Sequence, residues 1–126
     1  MLIWLLAGMG VFLFNVYLPA ALFFPAMGLK VHAGSRDELP EPGKMVGRAR
    51  RSLANFQENL PIFLALGILA MIAENADMAL AVLGAKVFVI ARIAFIVCYM
   101  ISIPFTRSIA FTVGFIGMGM MAYALI

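Results

Sequence analysis

Arg48, Arg51, Asn55 and Glu58 recur at intervals of three, four and three residues, the repeat of one helical face. They lie in the stretch Arg48 to Pro61, which opens a long apolar segment where a bilayer-spanning helix would be expected to carry leucines. Ionisable and amide groups are costly in hydrocarbon and persist there mainly where they face a bundle interior, a partner or a ligand. Three further polar residues stand in or at apolar segments: Arg92 and Tyr99 in the third, and Arg107 at the mouth of the fourth. Positive charge in excess of acid at one end of such a cleft suggests an anionic ligand.

The elements that must position these groups follow from composition. The 126 residues are 65% hydrophobic and 12% charged, with a mean hydropathy of +1.07. Soluble domains are closer to half apolar and a quarter charged, so the chain reads as a membrane protein. A spanning helix takes about 20 mainly apolar residues. Four such segments fill the length, and no soluble domain is expected beside them. The first segment lacks a basic leading region and is longer than the apolar run of a signal peptide, so it reads as a retained helix. The single Cys98 reads as a buried hydrophobe and His32 as a solvated loop residue. The ten methionines read as packing filler, and no metal site is expected. No nucleic-acid partner is expected either.

The fold class expected is an all-α membrane protein, a single four-helix transmembrane domain over residues 1–126 forming an antiparallel bundle. The helices are placed at about 2–27, 44–73, 77–103 and 107–126, with a polar loop over 28–43 broken by prolines and glycines. Asn15 in the first helix reads as a bond to a neighbouring helix, with a ligand contact as the alternative. Pro61 is expected to kink the second helix one turn after Glu58. Gly114, Gly117 and Gly119 would let the fourth helix approach its neighbours closely. Lys30, Arg36, Lys44, Arg48, Arg50 and Arg51 cluster around the first connection, whereas Glu74-Asn75-Ala76-Asp77 has no basic residue. By the positive-inside rule the first loop is cytoplasmic and both termini are external.

Depth along antiparallel helices then orders the polar residues. Counting from Val46 and Pro104 at about 1.5 Å per residue, Arg51 and Tyr99 lie roughly 7–8 Å deep. Asn55 and Phe95 lie roughly 13–14 Å deep, and Glu58 and Arg92 roughly 18 Å deep. A Glu58–Arg92 pair is therefore expected, with neutralisation and bundle register as its structural reading. Lys86 is nearer the external surface and can snorkel to it. Arg48 and Arg50 read as topological signals held at lipid headgroups, and Arg51 as more than that.

These residues carry a resemblance. Arg-Arg-x-x-x-Asn-x-x-Glu-Asn-x-Pro-x-Phe (Arg50 to Phe63), Ala91-Arg92, Tyr99 seven residues on, and Pro-x-x-Arg (Pro104 to Arg107) resemble the MAPEG family, the membrane-associated proteins in eicosanoid and glutathione metabolism. The likeness covers all four helices and is greatest to the microsomal glutathione transferase and bacterial branches. It implies a homotrimer in the lipid bilayer, here a bacterial inner membrane, with glutathione bound between subunits near the cytoplasmic face.

The resemblance also implies roles. Arg51, Asn55 and Glu58 hold the tripeptide, joined by Arg92 and Tyr99, and Lys30 is matched to a basic residue at the end of the first helix. Arg107 corresponds to the arginine that stabilises the thiolate. Glutathione carries two carboxylates and an ammonium, which suits basic groups with one acid. A free cysteine thiol titrates near 8.5. A guanidinium about 4 Å away contributes up to roughly 4 kcal/mol at an effective dielectric near 20. Half of that would make the thiolate the main form at neutral pH, at about 1.4 kcal/mol per pKa unit. The thiolate would attack a hydrophobic small-molecule electrophile dissolved in the lipid, with peroxidase activity as a companion expectation. Phe95 departs from the family pattern, standing where mammalian relatives often have a histidine or tyrosine. The rivals are a non-catalytic membrane binding or structural protein that keeps the fold and cleft, and a transporter. A transporter should carry polar residues through both leaflets, and here they crowd one half.

Overall fold

Apolar residues dominate every face of the first helix and nearly every face of the third, so neither can shed its hydrophobic surface except into neighbours or lipid. The computed structural model describes residues 1–34 and 39–126, apart from the side chains of Lys30, His32 and Pro104. Among the described residues there are four helices: α1 Leu2–Ala33, α2 Lys44–Ile72, α3 Met78–Ile101 and α4 Pro104–Tyr123. Each is long and apolar enough to cross a membrane. α3 packs most extensively on α4, α1 packs on α2, and α2 joins the two pairs through α3. Arg36 of the basic cluster and the side chains of Lys30 and His32 lie outside the described residues.

The end of α1 and the start of α4 differ most from expectation where they bear on the site, and α3 and α4 also end early, at Ile101 and Tyr123. The sequence predicts that α1 closes at Gly28, yet helix resumes beyond it to Ala33. Gly28 alone takes φ 68° and ψ 167°, a conformation open to a residue without Cβ, so the break is confined to one residue. α4 begins at Pro104, ahead of the expected Arg107. Proline suits the first turn of a helix, where its missing N–H costs nothing, and it holds Ile103 before it extended at φ −88°, ψ 111°. Ser102 closes α3 in the left-handed conformation, φ 64° and ψ 36°, with its N–H donating to the Cys98 carbonyl. Arg107 thus sits in the first turn of α4, close to the end of α3.

The buried face of α2 runs Val46, Ala49, Ser52, Phe56, Asn59, Phe63, Gly67 and Ala70, one stripe at intervals of three and four. Phe63 stacks on Phe88 at 4.3 Å between centroids, and Phe56 meets Phe88 and Phe12 edge-on at 6.2 and 5.5 Å. These rings fix the rotation of α2 and α3. Asn15 is fully buried and donates to Ser52 Oγ at 3.3 Å, the neighbouring-helix bond its position implies. At the opposite end, Asp77 caps α3 by accepting from the Leu80 N–H at 3.0 Å, and its own N–H donates to the Ala124 carbonyl at 2.8 Å.

α3 and α4 meet backbone to backbone. A Cβ at Gly117 would lie 2.7 Å from the Gly84 carbonyl oxygen and 2.8 Å from the Phe88 nitrogen, and one at Gly84 would lie 2.5 Å from the Gly117 oxygen. Gly114 also faces α3, whereas a Cβ at Gly119 would meet nothing within 4 Å. Gly117→Ala is therefore expected to destabilise the bundle by about 1–3 kcal/mol, the cost of overpacking against atoms that cannot rotate away. Gly119→Ala should be neutral or slightly stabilising. Thermal unfolding of both variants in one detergent checks the contrast.

Candidate functional site

The rotation set by Phe56 and Phe63 decides where each polar side chain of α2 points. At 100° per residue, Arg51 and Glu58 lie about 140–160° around the helix from Phe56, and both are exposed in the isolated chain. Asn55, about 100° from Phe56, is half-buried at the margin. The stripe that shares one face is thus split: Asn55 reaches inward and Glu58 does not.

Arg92 is only 1% exposed. Its guanidinium carbon lies over four phenylalanine rings, at 5.5 Å from Phe56, 5.0 Å from Phe88, 5.5 Å from Phe95 and 5.6 Å from Phe111. Ring faces attract a cation by about 0.5–2 kcal/mol each, which offsets part of its desolvation. Its Nη1 donates to Asn55 Oδ1 at 2.7 Å, while Nε and Nη2 are buried without a partner. The expected Glu58–Arg92 pair does not form. The two residues are level in depth, but depth alone does not place a side chain on the inward face, and the amide one turn nearer the basic end takes the arginine's hydrogen bond instead.

Toward the basic end the polar groups converge on Tyr99. The Arg107 guanidinium carbon lies 4.9 Å from the ring centroid and that of Arg51 lies 6.0 Å from it. Phe95 packs edge-on against the same ring at 5.3 Å. A cavity of about 240 Å³ lies here, bordered by Arg48, Arg51, Tyr99, Ser102 and Arg107, with Cys98 in its wall. A second cavity of about 330 Å³ shares Tyr99 and Arg107 and continues past Asn55, Ser108, Phe111 and Thr112. Tyr99 and Arg107 therefore stand between two chambers of one cleft. Among the described residues neither chamber is lined by a carboxylate. Three guanidiniums with no acid beside them give the cleft a positive charge that suits an anion.

A scan against protein-family models matches the MAPEG model over residues 1–126, the whole chain. The chain belongs to the MAPEG family. Among curated proteins no individual relative matches. This MAPEG protein is accordingly an integral, multi-pass membrane protein of the family concerned with eicosanoid and glutathione metabolism.

Of the residues singled out in the sequence, the fold of the MAPEG chain brings Arg51, Asn55, Tyr99 and Arg107 to one cleft. It sets Arg92 directly behind Asn55 and leaves Glu58 on the outer side of α2. The Lys30 side chain lies outside the described residues. Arg48 needs a correction. It is half-buried, donates from Nη1 to the Met100 carbonyl at 3.1 Å and borders the basic chamber, so it is more than a topological signal. Ser108 and Thr112 also escaped sequence reasoning, although with Arg107 and Phe111 they form an i, i+1, i+4, i+5 face that helical spacing could have exposed. Lys86 does turn outward, and its ammonium lies 5.6 Å from the Trp4 ring centroid.

Proposed function

We propose that this MAPEG protein is a membrane glutathione transferase. The observation that supports it most is that Arg107 and Arg51 both lie against the Tyr99 ring in a cleft lined by three guanidiniums. The cleft would take the tripeptide with its carboxylates toward Arg51, Arg48 and the Asn55 chamber. Arg107 would hold the sulfur as thiolate. Tyr99, packed against both guanidiniums, would keep Arg107 in place and help to exclude water.

The reaction is a substitution or addition in which the thiolate sulfur forms a bond to an electrophilic carbon. The leaving group departs with its electron pair, or the opened oxygen of an epoxide takes up a proton. An apolar groove of about 410 Å³ between α3 and α4 is bordered by Ile90, Ala94, Cys98, Ile109 and Val113. Cys98 also lines the basic chamber, so a lipophilic electrophile in the groove would approach the sulfur from the lipid side.

The exposure of Arg51 and Glu58 in a spanning helix supports assembly. Charged groups at that depth require cover other than lipid. A homotrimer with the ligand between subunits would supply it, and would let Glu58 meet the ligand's ammonium from the outer face of α2. The basic end of the bundle would face the cytoplasm.

Calorimetric titration of detergent-purified protein with glutathione, alongside conjugation of a hydrophobic aryl halide, tests this reading. Binding together with conjugation is expected. Absence of both would remove the transferase reading, and binding without turnover would leave a non-catalytic membrane binding protein.

A further inference from the structure

Arg92 is a donor without an acceptor atom, so its 2.7 Å hydrogen bond to Asn55 dictates which end of that amide faces inward. Oδ1 must accept from Arg92, which leaves Nδ2, without a partner among the described residues, on the other edge of an amide that borders the cleft. The Asn55 chamber is lined otherwise by aromatic rings, Arg107 and the hydroxyls of Ser108 and Thr112. The Thr112 hydroxyl donates backward to the Ser108 carbonyl at 3.0 Å, so it presents lone pairs to the chamber, and Arg107 and the Ser108 hydroxyl stand beside it as donors. The chamber therefore offers mainly donors, and behind it stands a guanidinium whose Nε and Nη2 are buried without a partner among the described residues.

From this arrangement we infer that Arg92 is a positioning residue that makes the Asn55 chamber a carboxylate subsite: by locking Asn55 Oδ1 inward it presents Nδ2 to the ligand, and it selects an acid there over the corresponding amide. Arg92 itself does not reach the ligand. Its four-ring cage and complete burial separate it from the cleft, and Asn55 is the polar group that connects them.

A purely structural role for Arg92 would weaken all ligands alike, whereas an amide lock controls a ratio. The assignment rests on the glutathione reading only for the identity of the probe ligand. The test compares glutathione with its two monocarboxamides, one at each carboxylate, by calorimetry on the full-length protein in detergent micelles. In the native protein one of the two carboxamides is expected to bind roughly ten- to a hundredfold more weakly than glutathione. In Arg92→Met, an apolar replacement suited to a cage of rings, Asn55 can rotate and offer either end of its amide, and that ratio should fall to within about threefold of one. Ratios unchanged by Arg92→Met at both carboxylates would overturn the inference.

A ligand-free measurement separates this outcome from failure of the glutathione reading. With ¹⁵N-labelled asparagine, the Asn55 side-chain amide should relax as a rigid group in the native protein and as a mobile one in Arg92→Met. A rigid amide without glutathione binding would sink the transferase reading and keep the lock. An amide already mobile in the native protein would sink the lock itself.

Discussion

Replacing Arg107 by alanine is expected to slow conjugation about a hundredfold to a thousandfold while changing glutathione affinity less than about fivefold, the pattern of a group whose interaction grows as charge localises on sulfur. Arg107 sits in the first turn of α4, 4.9 Å from the Tyr99 ring, where both chambers of the cleft meet. Arg48 and Arg51 border the same mouth and remain to attract the peptide's carboxylates, so binding has substitutes and thiolate stabilisation has none of equal placing. Steady-state rates and calorimetry on the same preparation check the split. Equal loss of rate and affinity would mean that Arg107 holds the ligand and does not activate it. Arg107→Lys should recover part of the rate, because it restores the charge without the planar fork.

Asn55→Leu is expected to destabilise the fold by about 3–5 kcal/mol, the range for leaving one partner of a buried polar pair uncompensated. Arg92 is 1% exposed, and among the described residues its only hydrogen bond goes to Asn55. Leucine would leave it with ring faces alone. Arg92→Met, which removes the charge together with the need for an acceptor, should cost far less, and the double variant Asn55→Leu/Arg92→Met should recover most of the stability lost in Asn55→Leu. Thermal unfolding of the three variants in one detergent reads the coupling directly. Additive losses would mean that the Asn55 bond contributes little to holding the guanidinium in the bundle.

The contrast between Asn55 and Glu58 marks how far the sequence carries. Helical spacing put both on one face of α2, and the apolar runs located four spanning helices with only small errors at their ends. Spacing defines a shared face but not the direction in which that face turns. Here the turn is set by Phe56 and Phe63 packing on Phe88, a long-range contact between helices with no local signature. The rotation sends Asn55 inward to Arg92 and leaves Glu58 outside. Depth counting did bring Arg51 level with Tyr99 and Asn55 level with Phe95, because antiparallel helices of regular rise preserve such levels. Arg48 was misjudged because a basic residue at the end of a spanning helix carries the same sequence signal whether it snorkels or bonds to the Met100 carbonyl. The early start of α4 was legible in Pro104, and it brings Ser108 and Thr112 into the cleft.

A glutathione transferase at this site requires that the cleft at Tyr99 and Arg107 hold glutathione as a thiolate. Titrating the ultraviolet absorbance of the thiolate bound to the purified protein tests it most directly. The cation beside the sulfur favours the charged form, so the bound thiol should titrate well below the reference value of about 8.5, and Arg107→Ala should move the midpoint back up toward it. A bound thiol that titrates like the free one in the native protein, or a lowered midpoint that survives Arg107→Ala, would contradict the account.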